Sequence, residues 1–184
     1  MMKPWKRSRT ELLQNTRILD LFQAIDVSPY TDKEHSFVYI DSPLWVNLVP
    51  VTDQGEVVMV RQYLHGSQAM TLEIPGGMVD AGEQPALAAM RECLEETGYR
   101  AEAVQCLGEL NPNPALFNNR LHTFYGRVAQ DGSSVHFSET ERTDVELIEI
   151  DRLKSLLLDG SIDHALVCAT LWRFLDHWRE GVIR

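Results

Sequence analysis

The sequence predicts an α/β fold in which a mixed sheet carries helices packed on it. Three observations predict it. Short runs rich in β-branched and aromatic residues recur between turn signals along most of the chain. Two stretches, 84–97 and 163–178, have the composition or periodicity of helices. The 184 residues, 44% apolar and 24% charged, make one globular chain with enough material for a proper core.

In chain order the elements are as follows. Residues 1–16 are polar and basic and are expected to be loosely ordered. Residues 18–27 and 36–40 read as strands. Residues 45–51 and 57–63 read as a hairpin around Asp53-Gln54-Gly55. A short strand, 71–74, runs into Pro75-Gly76-Gly77. The helix at 84–97 follows, and then strands at 102–110 and 121–128. Between those two strands lies a loop rich in Pro and Asn, 111–120. A strand at 146–150, a short helix at 151–158 and a longer amphipathic helix at 163–178 complete the chain. Trp172, Phe174 and Trp178 lie at helical spacing on the last helix and read as a core or interface stripe. There is no internal repeat or low-complexity segment.

The helix at 84–97 carries the chemistry. Alanines, leucines, methionine, arginine and glutamates favour it. Pro85 suits the first turn, and Gly98 falls where a C′ glycine ends a helix. Leu87, Ala88 and Cys93 are expected to bury one side, with Arg91, Glu92, Glu95 and Glu96 on the other. Glu92, Glu95 and Glu96 stand at i, i+3 and i+4, so three carboxylates share one face. Such a crowd costs stability unless a cation sits among it. Arg91 is one turn before Glu95 and is positioned to reach back to Glu83, but one base cannot neutralise three acids. A hard, oxygen-ligated cation such as Mg²⁺ or Mn²⁺ can. The glycines before the helix allow close backbone approach, and a carbonyl near Gly76 offers one more oxygen.

The segment reads Gly77, five residues, Glu83, seven residues, Arg91-Glu92-Cys93-Leu94-Glu95-Glu96-Thr97-Gly98-Tyr99. Seven fixed residues at this spacing arise by chance at one start position with a probability on the order of 10⁻⁸. The segment resembles the Nudix box in full. The resemblance implies an α/β/α sandwich and a metal-dependent hydrolase that acts on a nucleoside diphosphate linked to another moiety. It implies that Glu92, Glu95 and Glu96 bind the metal, beside the oxygen offered near Gly76, and that Gly76 and Gly77 shape the turn. It also implies that Glu83 and Arg91 pair to brace the loop against the helix, within a catalytic set that includes Glu95. The run Val58-Met59-Val60-Arg61-Gln62-Tyr63 and the run Leu72-Glu73-Ile74-Pro75-Gly76-Gly77 are similar to the ADP-ribose and nucleotide-sugar branch of that family. So are the N-terminal strands, which in that branch swap between subunits of a homodimer. The division implied is 1–43 for dimerisation strands and 44–184 for the hydrolase domain.

The resemblance also locates the substrate and the general base. Arg61 and Trp45, with Pro114, Asn118, Asn119 and Arg120 of the 111–120 loop, form the candidate substrate-binding set. Amide-rich loops suit sugar hydroxyls and phosphate. Phe22, Tyr30 and Trp45 are candidates to stack on a nucleobase. Asn118-Asn119-Arg120 replaces the serine-proline-glycine and acidic stretch of the ADP-ribose enzymes, and Leu64-His65 stands where they often place arginine after the tyrosine. These departures favour another nucleoside diphosphate sugar, or a range of them, over ADP-ribose alone. The base candidates are Glu139, Glu141 and Asp144, with Glu141 assigned. The rival readings are an ADP-ribose pyrophosphatase proper and a nucleotide-sugar sensor without catalysis.

The formal charge of -10 argues against a nucleic-acid backbone as partner. Cys93, Cys106 and Cys168 show no metal spacing and are expected to be three buried thiols in a reducing cytoplasm. The start, MMKPWKRSRTELLQ, has no apolar run behind it, and no stretch approaches a membrane span. The scattered histidines, among them His65, His122, His164 and His177, suggest no ligand cluster.

Overall fold

The computed structural model describes residues 1–132 and 142–183. They group into two units: Met1–Leu44 with Asn111–Arg120, and Trp45–Leu110 with Leu121–Arg184.

In the first unit, β1 (Lys6–Asn15), β2 (Asp20–Val27) and β3 (Glu34–Asp41) form an antiparallel sheet in the order β1-β2-β3. β1 replaces the loose order expected for residues 1–16. Every residue of β1 is exposed, so it shows no apolar period to find. Its ladder with β2 and polar cross-strand pairs hold it, such as Arg7 with Asp26 at 2.9 Å. Residues of the 111–120 loop join the far edge. The Ile40 N–H donates to Leu116 O at 2.8 Å and the Asn118 N–H to Ile40 O at 3.2 Å.

The second unit holds β4 (Trp45–Val51), β5 (Glu56–Leu64), β6 (Ala69–Glu73), β7 (Gly76–Met78), β8 (Tyr99–Ala101), β9 (Gln105–Leu110), β10 (Leu121–Gln130) and β11 (Thr143–Glu149). Its helices are α1 (Pro85–Thr97), α2 (Ile150–Leu158) and α3 (Ala165–Arg179). The sheet runs β11-β5-β4-β10-β8, with β6 on β5, β7 on β4 and β9 on β10. β10 is parallel to β4 and antiparallel to β8 and β9, so the sheet is mixed as expected. The strand expected at 102–110 is the shorter β9, with Gly108 at φ +128° inside it, and β8 just before it is a further strand that was not expected.

Both faces of this sheet are covered, which explains the apolar run Val57–Val60 of β5 and the mostly apolar β4, where Asn47 is the polar exception. Val46, Leu48 and Val58 pack with Ala88, Ala89 and Cys93 of α1. Val49, Val51, Val57 and Met59 pack on the other face with Leu153 of α2 and Val167, Leu171 and Phe174 of α3. Helix, sheet and helix form three layers, as the α/β/α expectation required.

Details of the helices depart from expectation. Leu87 is 53% exposed, because Ala88, Ala89, Cys93 and Thr97 make the buried stripe of α1. Phe174 is fully buried and Trp178 packs beside it, but Trp172 points outward at 40% exposure. Of the cysteines, Cys93 is buried, Cys168 is intermediate and Cys106 is exposed on β9.

Candidate active site

The site is built where β6 ends, the chain turns through Pro75, and β7 lays Gly76 and Gly77 beside β4. Asn47 faces Gly76 and Val46 faces Gly77 in register, and the Leu48 N–H donates to Pro75 O at 3.0 Å. A Cβ on Gly76 would lie 2.9 Å from Asn47 Cβ, so only glycine passes this close to β4. α1 then begins with Pro85 at its first turn. It stops at Gly98, whose φ of +71° is left-handed and whose N–H donates to Leu94 O at 2.9 Å.

α1 turns its charged face to the glycines. The Gly76 N–H donates to Glu96 Oε2 at 3.1 Å. Glu92 places its carboxylate over Gly77, so close that a Cβ there would come within 3.0 Å of all three carboxylate atoms. Arg91 is the hub of the cluster. Its Nε and Nη2 grip the two oxygens of Glu83 at 3.0 Å each, a fork-on-carboxylate geometry. Its Nη1 donates to Glu92 Oε1 at 2.9 Å and Glu95 Oε2 at 3.1 Å, and Nη2 donates to Met78 O at 3.1 Å. Glu83 also accepts from the Asp80 N–H at 3.1 Å. The Arg91 hydrogen bonds hold Glu83 below the usual carboxylate range, and the same acids push the guanidinium further up.

Glu83, Arg91, Glu92, Glu95 and Glu96 are therefore brought together with Gly76 and Gly77. Among the described residues, no three His, Cys, Asp or Glu side chains converge as a ready-made metal cluster. Arg91 holds Glu92 and Glu95, and the Gly76 N–H holds Glu96. The donor set nevertheless suits a hard cation, since three carboxylates and the Gly76 carbonyl are all oxygen. The space over Gly77 is what admits the Glu92 carboxylate.

The other expected residues fall in several places. Arg61, on β5, pairs with Glu146 of β11. Trp45 lines a cavity of about 190 Å³ beside the turn, with Asn47, Glu73, Gly76, Gly77 and His164. Pro114, Asn118, Asn119 and Arg120 belong to the first unit. There Asn118 Nδ2 donates to Asp41 Oδ1 at 2.5 Å, and buried Asn119 donates to Pro43 O at 2.9 Å. Phe22 stacks on Tyr39 at 5.3 Å, and Tyr30 is 60% exposed. Glu139 and Glu141 lie outside the described residues. Asp144 is the second residue of β11 and is exposed. Thr143, just before it, is buried and donates to Glu96 O at 2.6 Å.

One pair escaped the sequence reading. Glu73, 6% exposed, accepts from Thr71 Oγ1 at 2.6 Å, and its Oε2 lies 3.0 Å from His164 Nδ1. Burial works to raise the Glu73 pKa, but the hydrogen bonds from His164 and Thr71 prevail and lower it. The bond to Glu73 raises His164. The available signal was a charged residue inside the apolar run Leu72-Glu73-Ile74, which burial tolerates only with a partner.

A strand, a glycine turn and a carboxylate helix, built into a sheet covered by helices on both faces, define an α/β protein with an acidic, oxygen-rich centre. Residues 41–170 match the NUDIX domain, and the chain belongs to that family as a Nudix hydrolase. It is 33% identical over 138 residues to the ADP compounds hydrolase NudE of Escherichia coli, covering 74% of this chain and 72% of the relative. It is 30% identical over 114 residues to an ADP-ribose pyrophosphatase of Bacillus subtilis, covering 62% and 61%. It is 26% identical over 147 residues to a methanol dehydrogenase activator of Bacillus methanolicus, covering 79% of each. A crystal structure of an ADP compounds hydrolase, 20% identical, superposes with a TM-score of 0.85 over 99% of this chain and 97% of that one. Nudix hydrolases generally need divalent metal ions. Among the described residues, no helix is long and apolar enough to cross a membrane.

Proposed function

We propose that the protein hydrolyses the pyrophosphate bond of a nucleoside diphosphate sugar, giving a nucleoside monophosphate and a sugar phosphate. One observation carries this reading: the Glu92 and Glu96 carboxylates are drawn against Gly77 and Gly76 by a helix braced through Arg91 and Glu83. The names of the Escherichia coli and Bacillus subtilis relatives support the substrate class.

In this reading Glu92, Glu95, Glu96 and the Gly76 carbonyl hold Mg²⁺, with Mn²⁺ as a substitute. Bound cations of this kind neutralise a diphosphate and activate water for attack on phosphorus. Arg91 and Glu83 keep the turn and helix in register. Glu141 accepts the proton of the attacking water. Among the described residues, Thr143 is tied to the Glu96 carbonyl, which bears on the rival candidate Asp144. Strand neighbours face opposite ways, so Asp144 is turned from the face that Thr143 presents to α1. Trp45, Arg61 and the loop residues Pro114, Asn118, Asn119 and Arg120 bind the substrate. The protein works as a cytoplasmic homodimer with swapped N-terminal strands, divided near residue 43, and takes neither nucleic acid nor membrane as partner.

The test is a rate panel with ADP-ribose, GDP-mannose, ADP-glucose and UDP-glucose, run with Mg²⁺, with Mn²⁺ and in excess chelator. Turnover of one or more of these with either ion, abolished by chelator, is expected; turnover that persists in chelator refutes the metal assignment. A preference for ADP-ribose alone selects the second reading, ADP-ribose pyrophosphatase, which the Bacillus subtilis relative favours.

A further inference from the structure

α3 supplies none of the carboxylates of the site, yet it reaches the glycine turn through two polar contacts. His164, the residue that caps the N-terminus of α3, meets Glu73 at 3.0 Å. Glu73 ends β6, three residues before Gly76. Six residues into the helix proper, Thr170 meets Asn47 of β4, with Asn47 Nδ2 donating to Thr170 Oγ1 at 3.0 Å. Asn47 is the residue paired with Gly76. Glu73, Asn47 and Thr170 are all at least nine-tenths buried. The partners are 91 and 123 residues apart in sequence, so nothing local demands these contacts.

Each tether ends on a strand that frames the turn, one on the strand that enters it and one on the strand that flanks it. An apolar contact tolerates sliding, whereas a buried carboxylate with two directed donors does not. Loss of His164 leaves Glu73 with Thr71 alone, and a buried charge so stripped must shift or draw in water. The shift would pass to Pro75 and Gly76. Their backbone is held on the other side by the Leu48 N–H and by Glu96.

We propose that His164 and Glu73, seconded by Thr170 and Asn47, are positioning residues that fix the glycine turn against the carboxylate helix through α3. The proposal rests on the reading of that turn as the catalytic centre. Misplacement on the order of 1 Å at a reacting centre costs about 10²-fold in rate.

Two readouts test it. Wild-type turnover is established first, so that failure of the proposed activity is recognised separately. Kinetics are then compared for His164→Ala, His164→Gln and Glu73→Gln, and amide shifts of Gly76 and Gly77 are recorded by ¹⁵N NMR in metal-free protein. His164→Ala should lower kcat about 10- to 100-fold with KM within about twofold, and should move the Gly76 and Gly77 amides. His164→Gln, which can still donate to Glu73, should recover most of the rate and return the amides toward wild type. If His164→Ala does not fold, the comparison passes to Glu73→Gln, which leaves one acceptor oxygen for two donors and should move the Gly76 and Gly77 amides in the same direction; unmoved amides in that variant overturn the proposal as well. Unmoved glycine amides in a folded His164→Ala overturn the proposal. So does a kcat within twofold of wild type, or a His164→Gln variant no better than His164→Ala.

Discussion

Replacing Arg91 with alanine removes the hub that holds four acidic or carbonyl partners at once. Two of its bonds form a fork on Glu83, with the arginine side chain 30% and the glutamate 18% exposed. A charge-assisted pair of this geometry, discounted for that exposure, contributes about 2 kcal/mol. Its loss also leaves Glu92, Glu95 and Glu96 facing one another at helical spacings. Two such like-charge pairs add about 0.5 kcal/mol of repulsion. The sum, about 2.5 kcal/mol, lowers Tm by about 5 to 10 °C for a chain of this size. Thermal unfolding followed by circular dichroism, in chelator and then with Mg²⁺, is the assay. The deficit should narrow with the ion, because carboxylates freed of arginine bind a cation more strongly and binding to the native state stabilises it. Arg91→Lys should recover only part of the loss, since lysine keeps the charge but not the fork. A Tm for Arg91→Ala within about 1 °C of wild type would refute the reasoning, as would full rescue by lysine.

Glu141→Gln should lower kcat by about 10²- to 10⁴-fold with KM little changed, and near-normal turnover would remove it from the mechanism. Gly77→Ala should cut kcat more than about tenfold while lowering Tm only slightly. Its Cβ would meet the Glu92 carboxylate, while the backbone at 77 is not left-handed; an unchanged kcat would show that Glu92 can leave the turn freely. Stability should vary with pH on two limbs, measured as Tm in chelator. Glu83 is held low by Arg91 and Glu73 by its bonds to His164 and Thr71 against the opposing effect of burial, so their stabilisation is present above about pH 4.3 and fades as acid protonates them. His164 is raised by Glu73, so its share is full below about pH 6.5 and is lost as pH rises through its folded value. His164→Gln should flatten the alkaline limb and leave the acid one; an alkaline limb that survives would assign it elsewhere.

The parts legible in the sequence were those written in local periodicity and spacing. α1 declared itself by helix formers, Pro85 and Gly98, and its acids by their i, i+3, i+4 spacing. β4 and β5 were readable because burial on both faces demands runs that are mostly apolar. β1 was not, because polar side chains and a backbone ladder hold it rather than an apolar face. β8 escaped because it is only three residues long, too short to show a side-chain period of its own. The Glu73–His164 contact escaped for a different reason. It joins residues 91 apart, and a lone histidine at a helix start carries no trace of the carboxylate it will meet. The ties of Asn118 and Asn119 to Asp41 and Pro43 were equally non-local.

The first unit is assembled from two separate stretches of chain, since residues 116 to 118 close on Ile40. Cutting the protein at residue 44 would thus be more than the trimming of a tail. It would strip Leu116 and Asn118 of the backbone partners that shape their loop, and a shortened protein would carry that loop misshapen. The same constraint bears on any edit of the chain. An insertion in β3 and a change in the 111–120 loop are edits to one object, so the arm and the loop are expected to diversify as a pair.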